Sequence, residues 1–381
     1  MNWLKKNILK IQNCNKEIRK NETYIQLPLD PNVESTTYLF YSTRLAILQA
    51  TENYKEWLKQ YMIHIAVIYN KSYTNFYYFD EKFEDSMYIN GKLYRELPNN
   101  IVKYIKEQIR GGLYVNIHLD DYYLSEKDRY EKSHFVHENL IYGFDENKKS
   151  FMAFGFAKRQ KTTCFYITYD ELKKAYKNGR IFYRHGAKYL EQPGYYPFSL
   201  YCAKQREKME FTIELFLEKL NEFLHPKKTE QVEGDIHIYG SNIYEKICRE
   251  LTDSTDELKT VDLRTFHLLY EQKIVIRDRI SFIMDKYPLN ELLKVKEDYE
   301  QIVDRFRDIR LVYLKQLYQE DGYEVGEIQR VYSKEVNNRI GNMVKNAQKE
   351  ERKVLLNLEE LLQMIIKNNI TYSVDAKGGN Q

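Results

Sequence analysis

Hydrophobic and polar positions alternate strictly over one stretch in the first half of the chain. The apolar positions between Leu113 and Asp120 are Leu113, Val115, Ile117 and Leu119. A period of two places these on one face of a strand, and the other face carries Tyr114, Asn116, His118 and Asp120. The pattern predicts a strand that is buried on its apolar face and exposed on its polar face.

Further strands are predicted on both sides of this one. The segments Asn139–Phe144 and Ser150–Phe156 flank a polar turn and are typical of a hairpin, and Thr162–Ile167 adds a strand. A shorter hairpin is predicted over Met87–Tyr94. Its turn would be Asn90-Gly91, because these two residues readily adopt the positive φ angles of a tight two-residue turn.

Helical signals separate these strands. An irregular apolar pattern predicts a helix over Ser42–Ile68. A second helix is predicted from about Asn100 to Arg110, where the following Gly111-Gly112 provides a good C-terminal stop. Thr168-Tyr169-Asp170-Glu171 matches a capping box, in which the Thr and Glu side chains satisfy the first free N–H groups of a helix.

The pattern changes near Lys204 and is almost entirely helical from there to Asn369. Apolar residues between Leu289 and Leu317 recur at helical spacing for about 30 residues, and a further helix is predicted from Val325 to Ile366. We therefore expect an α+β protein with two domains. Residues 1–204 form an α/β unit and residues 205–381 form an antiparallel α-helical bundle.

Charge and composition narrow the functional classes. The chain has 381 residues, with 59 Lys+Arg against 56 Asp+Glu and a formal net charge of +3. This near balance argues against a general nucleic-acid binder, which needs a basic excess. No apolar run is long enough for a transmembrane helix, and the charged first ten residues lack the apolar stretch of a signal peptide. We expect a cytoplasmic protein that binds neither nucleic acid nor membrane.

Cysteine spacing and motif searches exclude several chemistries. The four cysteines are far apart in sequence and form no C-x-x-C pair: Cys14, Cys164, Cys202 and Cys248. A disulfide scaffold and a structural zinc site therefore have no support. The sequence also has no dinucleotide-binding glycine motif, Walker A loop, H-E-x-x-H, G-x-S-x-G or calcium loop. We predict no cofactor.

The densest polar cluster lies between Gly112 and Asp145. A metal site there would combine His134 and His137 with Asp120 or Asp121, because His and carboxylate suit several divalent ions. However, two His three residues apart at the start of a strand point to opposite faces. We therefore expect no metal, and ordinary hydrogen bonding at a strand edge is the simpler interpretation of these histidines.

The same cluster carries a family resemblance. The segments G-G-L-Y-V-N-I-H-L-D-D-Y-Y (Gly111–Tyr123) and H-F-V-H-E-N-L-I-Y-G-F-D (His134–Asp145) resemble bacterial proteins grouped with the N-terminal domain of the butirosin acyltransferase. The resemblance implies a papain-like fold related to peptidases that process bacteriocin leaders, with His137 at the position of the catalytic base. Tyr239-Gly240 and Asp262–Lys273 resemble the helical extension of related proteins that are often encoded beside carrier-protein assembly lines.

The family mechanism needs a Cys at the start of the first core helix. The segment Thr36–Leu48 has none, and Ser42 is the hydroxyl residue at the predicted helix start. Ser42 is therefore either the nucleophile or a helix N-cap, which is the commoner role of a Ser there. The resemblance implies a third catalytic residue on the strand Ser150–Phe156, which has no Asp or Asn. The expected substrate contacts are Asp120, Tyr122, Tyr38 and Tyr41.

Two functions remain open from the sequence. The first is an acyl or peptidyl transferase, or amide-forming enzyme, that acts on a carrier-protein thioester in natural-product biosynthesis. His137 would then activate Ser42, or would deprotonate an incoming amine directly. The second is a catalytically inactive papain-like accessory or binding protein. The expected partners are an acyl or peptidyl carrier protein and a small amine acceptor, with homodimerisation as a further expectation.

Overall fold

A computed structural model describes residues 22–70, 74–78, 86–184, 196–204, 208–252, 261–319 and 334–378. The strands are β1 Tyr24–Gln26, β2 Ile65–Tyr69, β3 Thr74–Tyr78, β4 Met87–Lys92, β5 Tyr114–Asp120, β6 Val136–Asp145, β7 Ser150–Phe156, β8 Thr162–Thr168, β9 Phe198–Ala203, β10 Glu230–Val232 and β11 Asp235–Tyr239. The α-helices are α1 Leu39–Gln49, α2 Ile101–Arg110, α3 Tyr169–Arg184, α4 Ile213–Leu224, α5 Ile243–Thr252, α6 Leu263–Lys286, α7 Asn290–Gln319 and α8 Lys334–Gly378. Helices together with antiparallel sheets confirm the predicted α+β class.

The chain divides into two compact units. The first comprises Met1–Lys55 and Lys82–Lys208, and the second comprises Glu56–Glu81 and Met209–Gln381. The predicted first domain, residues 1–204, includes residues 56–81, but their strands β2 and β3 belong to the second unit. The second unit consequently contains a sheet as well as helices.

Unit 1 is built around a seven-stranded antiparallel sheet. Its strand order is β4-β9-β5-β6-β7-β8, and β1 pairs with β6 off this path. The predicted hairpin is present, because β6 pairs with β7 from Leu140 opposite Phe154 to Asp145 opposite Ser150. Apart from Val136 and Phe156 at the strand ends, the apolar side chains of β5, β6 and β7 are almost completely buried and form the centre of the core.

The central strand β5 is buried on both faces, in contrast to the half-exposed strand predicted from its alternating pattern. All seven of its residues are buried, including the polar residues Asn116, His118 and Asp120. Alternation shows which residues share a face but not whether another element covers that face. A polar face in the interior of a domain needs hydrogen-bond partners.

Two predicted elements are wrong. The helix predicted over Ser42–Ile68 spans only Leu39–Gln49, and the apolar run near its predicted end forms the buried strand β2. β-branched residues such as Ile65, Val67 and Ile68 suit a strand better than a helix. The predicted hairpin around Asn90-Gly91 is one continuous strand that pairs with β9. Gly91 is needed there because the Tyr196 ring occupies the space that a Cβ would fill.

The predicted ends of α2 and the predicted capping box before α3 are confirmed. Helix α2 begins after Asn100, whose side chain accepts a hydrogen bond from the Lys103 amide at 3.1 Å. The capping box forms before α3: the Glu171 carboxylate accepts from the Thr168 amide at 2.8 Å, and the Thr168 hydroxyl accepts from the Glu171 amide at 3.2 Å. These bonds satisfy amide groups that the helix itself leaves free.

Unit 2 combines long helices with a four-stranded sheet of order β10-β11-β2-β3. The predicted stripe Leu289–Leu317 falls on α7, which confirms that helix. The start of the last predicted helix, at Val325, Ile328 and Val331, lies outside the described residues, and α8 runs from Lys334. Among the described residues, no helix is long and apolar enough to cross a membrane.

A fully buried ion pair lies at the centre of the unit 2 helices. Lys273 of α6 is 2.7 Å from Glu351 of α8. The Glu351 carboxylate also accepts hydrogen bonds from the hydroxyl groups of Tyr244, at 2.5 Å, and Tyr299, at 2.9 Å. Because these residues belong to α5, α6, α7 and α8, one network joins four helices, and its partners offset the cost of burying the charges.

Candidate functional site

The best-organised polar site of unit 1 is centred on Asp120, the last residue of β5. Its side chain is fully buried. Oδ1 accepts hydrogen bonds from the backbone amides of Tyr122, at 3.2 Å, and Phe135, at 3.1 Å. Oδ2 lies 2.7 Å from Nδ1 of His134 and accepts from the Asn178 amide at 2.5 Å. Four partners therefore compensate one buried carboxylate.

His134 is held by this carboxylate but remains open to solvent. Its side chain is 58% exposed, and the Tyr122 ring stacks on it with centroids 4.4 Å apart and planes 25° apart. An ionised carboxylate can only accept hydrogen bonds, so the proton of the neutral imidazole lies on Nδ1. Nε2, which forms no hydrogen bond to any described residue, therefore carries the free lone pair.

Local sequence explains how the pair forms. Asp120 ends β5. A single 3₁₀ turn, Asp121–Tyr123, follows, and the Asp120 side chain caps this turn. The chain then returns to start β6, where Val136 is directly opposite Asp120 in the antiparallel register. His134 precedes Val136 by two residues and so reaches the carboxylate. The third partner, Asn178, comes from α3.

A second charged pair lies beside the Asp120 carboxylate. Nζ of Lys127 is 3.8 Å from Oδ1 of Asp121, and both side chains are almost completely buried. Lys127 also donates to the backbone carbonyl of Phe156 and lies over the Phe165 ring. Burial raises the pKa of Asp121 to about 6, although Lys127 opposes this, and burial lowers the pKa of Lys127.

His137 occupies a different environment from the one that the resemblance implied. Its ring stacks between Phe135, at 5.4 Å, and Phe156, at 5.8 Å. Burial, together with the positive charges of Lys127 and Arg129, lowers the pKa of His137 to about 3. The resemblance implies that His137 is the catalytic base, and a low pKa does not suit that role. A group with so low a pKa is a weak proton acceptor at neutral pH.

Ser42 lies inside helix α1, in its second turn, and does not cap it. The residue before the helix is Tyr38, so the N-cap interpretation is wrong. The Ser42 hydroxyl is fully buried and donates to the backbone carbonyls of Ser35, at 2.9 Å, and Tyr38, at 3.1 Å. Bonds of this kind satisfy a hydroxyl within a helix and leave it poorly placed for attack. The rings of Tyr38 and Tyr41, the other predicted contacts, pack edge to face with centroids 6.4 Å apart.

The described residues contain no cluster suited to a metal ion, and burial disfavours the thiolate form of two of the described cysteines. No group of three or more His, Cys, Asp and Glu residues is arranged there to hold a metal ion. Burial raises the pKa values of Cys202 and Cys248, which favours the unreactive thiol form. Cys14 lies outside the described residues.

The sequence brings Asp120 and His134 together only as possible ligands of one metal site, with His137 and with Asp121 as the alternative carboxylate. The family resemblance points to His137 as the base. A usable signal was present: Asp120 ends one predicted strand and His134 precedes the next, so an antiparallel pairing brings them together. Asn178 had no such signal, because its contact depends on how α3 packs.

Two comparisons with known proteins found no relative of this chain. The sequence matches none of the protein-family models against which it was scanned, and it has no significant match among curated proteins.

Proposed function

We propose that unit 1 is an acyl-transfer enzyme of papain-like ancestry in which His134, oriented by Asp120, is the general base. The observation that carries the proposal is the contact between a fully buried carboxylate and the Nδ1 atom of an exposed imidazole. A buried acid that fixes the tautomer of a solvent-facing His is the arrangement by which catalytic bases are oriented. His134 thereby takes the role that the family resemblance assigned to His137.

The reaction that suits this geometry uses an external nucleophile. Nε2 of His134 removes a proton from an amine as the amine nitrogen attacks the carbonyl carbon of a thioester. The tetrahedral intermediate then expels the thiolate, which takes the proton back from the imidazolium. The products are an amide and a free thiol, and no protein nucleophile is required. The buried Ser42 hydroxyl is therefore not needed.

The expected donor is an acyl or peptidyl group on a carrier protein, and the expected acceptor is a small amine. Both follow from the family resemblance. The exposed aromatic residues Tyr130 and Phe135, which belong to the same β5–β6 connection as His134, offer apolar surface for an acyl chain. The stacked Tyr122 ring covers one face of the imidazole, and the proton of an incoming amine would be transferred in the ring plane, to the Nε2 lone pair.

A non-catalytic accessory protein is the second candidate. The buried Ser42 hydroxyl and the stacked, poorly basic His137 favour it, because both residues of the family-based site are unsuited to chemistry. The two candidates differ in whether His134 supports turnover.

The test is amide formation by the purified full-length chain. A panel of acyl-pantetheine thioesters would be incubated with small primary amines, and amide product would be measured by mass spectrometry. We expect His134→Gln to slow product formation by about 100-fold or more. His225→Gln is the matched control, because His225 is also an exposed histidine beside a carboxylate, that of Glu359 at 3.3 Å. Absence of wild-type turnover across the panel, or equal rates in both variants, would favour the accessory protein.

A further inference from the structure

The polar face of β5 does not end at Asp120. Asn116, His118 and Asp120 alternate along the strand and share one face, and Glu138 of β6 lies directly opposite His118. The Asn116 amide nitrogen donates to the Glu138 carboxylate at 3.2 Å and to the Tyr201 hydroxyl at 3.1 Å. A second polar cluster therefore lies on the same strand face as the carboxylate that holds His134.

Two side chains in this cluster, Asn116 and Glu138, can each accept a further hydrogen bond. The Asn116 side-chain oxygen is buried and has no hydrogen-bond partner among the described residues, and Asn116 itself is only 3% exposed. Its orientation follows from chemistry, because turning the amide over would direct its oxygen at the Glu138 carboxylate. Glu138 is partly exposed and forms no ion pair with a described Lys or Arg.

The neighbouring side chains of His118 and Arg44 do not neutralise the Glu138 carboxylate. His118 is buried opposite Glu138, and burial lowers its pKa, so that its ring is neutral at neutral pH. The guanidinium of Arg44 lies 5.2 Å from the centroid of the Tyr201 ring, and it donates to the Phe40 carbonyl. A buried acceptor without a partner, beside an uncompensated carboxylate, is unfavourable unless a donor binds there.

We propose that Glu138 and Asn116 form a binding subsite for a primary ammonium group. The Glu138 carboxylate supplies the charge, and the Asn116 oxygen accepts one of the three N–H bonds that such a group carries. Glu138 lies opposite His118, which precedes Asp120 by two residues or about 7 Å along the strand, and Asn116 precedes Asp120 by four residues or about 13 Å. Both separations are within the span of a small molecule. The assignment of the bound group to an acyl-transfer substrate rests on the proposed function, whereas binding itself does not.

The test is calorimetric titration of the full chain with n-butylammonium chloride, with tetramethylammonium chloride, which has no N–H, as the reference salt. We expect saturable binding of butylammonium that Glu138→Gln weakens at least tenfold. Glu126→Gln is the matched control, because Glu126 is an exposed carboxylate of the same unit, and it should bind like the wild type. Equal affinities for the two salts, or for wild type and Glu138→Gln, would overturn the subsite.

A second variant keeps the subsite testable if the Glu138→Gln protein does not fold. Asn116→Leu removes the proposed acceptor oxygen, and we expect it to bind butylammonium about fivefold more weakly than the wild type. Wild-type affinity in an Asn116→Leu protein with wild-type circular dichroism would overturn the proposal. Because the titration needs no turnover, butylammonium binding without amide formation would retain the subsite and refute the catalytic role of His134.

Discussion

Nδ1 of His134 lies 2.7 Å from Oδ2 of Asp120, and the two side chains differ completely in exposure. The carboxylate is inaccessible to solvent, while the imidazole is 58% exposed. The buried partner is fixed by two backbone amides and by Asn178. An exposed ring is consequently held in one orientation by a rigid, fully hydrogen-bonded anion, which is the geometry expected of a positioned base.

Removal of the Asp120 carboxylate should destabilise unit 1. Asp120→Ala leaves two backbone N–H groups and the Asn178 amide without their acceptor, so we expect the free energy of unfolding to fall by about 3 kcal/mol or more. Asp170→Ala is the control, because Asp170 pairs with Lys173 on the surface and its loss should change stability little. Urea unfolding of both variants makes the comparison, and equal losses would contradict the structural role of Asp120.

His137 should make stability depend on pH. Its pKa is about 3 in the folded protein and about 6.5 in an unfolded chain. Between these pH values the unfolded state binds more protons, so the contribution is complete above about pH 6.5 and is lost as the pH falls toward 3. We expect the wild type to lose about 2–3 kcal/mol more than His137→Gln between pH 7 and pH 4.5. Parallel urea-unfolding results at the two pH values would show that His137 is not buried in its neutral form.

Ser42 should be dispensable for chemistry. Ser42→Ala removes two hydrogen bonds to backbone carbonyls, so we expect a loss of about 1 kcal/mol in stability and an unchanged rate of amide formation. Fluorophosphonate reagents, which label activated serines, should leave Ser42 unmodified in peptide mass spectra. Specific labelling there would restore Ser42 as a nucleophile.

The effects of mutating Lys273 and Glu351, the buried ion pair of unit 2, on the free energy of unfolding should depend strongly on each other. Lys273→Met leaves the buried Glu351 carboxylate without its cation, and we expect a loss of about 3–5 kcal/mol. Glu351→Gln in the same background removes that uncompensated charge and should cost much less than the sum of the single changes. A double-mutant cycle from urea unfolding measures the difference. Additive losses would mean that the two charges do not stabilise each other.

Much of the unit 1 sheet follows from local sequence, because the β6–β7 hairpin and the Thr168–Glu171 cap depend on neighbouring residues. The helix predicted through Ile68 failed because periodicity alone does not distinguish a helix from a short buried strand such as β2. The hairpin turn predicted at Asn90-Gly91 is wrong for a different reason. Its turn propensity is overridden by pairing with β9 and by the Tyr196 ring beside Gly91.

The candidate site was less accessible to sequence reasoning. The positions of Asp120 and His134 at adjoining strand ends could be predicted, but Asn178 reaches the carboxylate only through the packing of α3. The low pKa of His137 also depends on tertiary structure, because burial and the charges of Lys127 and Arg129 produce it. Spacing in the sequence shows none of these effects.

The tautomer of His134 tests the central claim most directly, because it requires no knowledge of the substrate. Two-dimensional ¹⁵N NMR of histidine-labelled protein at alkaline pH distinguishes a protonated ring nitrogen from one that carries a lone pair. The Asp120 contact predicts that Nδ1 of His134 is protonated and that Nε2 is not. It also predicts that Asp120→Ala allows the other tautomer to accumulate. A wild-type spectrum in which Nε2 carries the proton would contradict the assignment of His134 as a base.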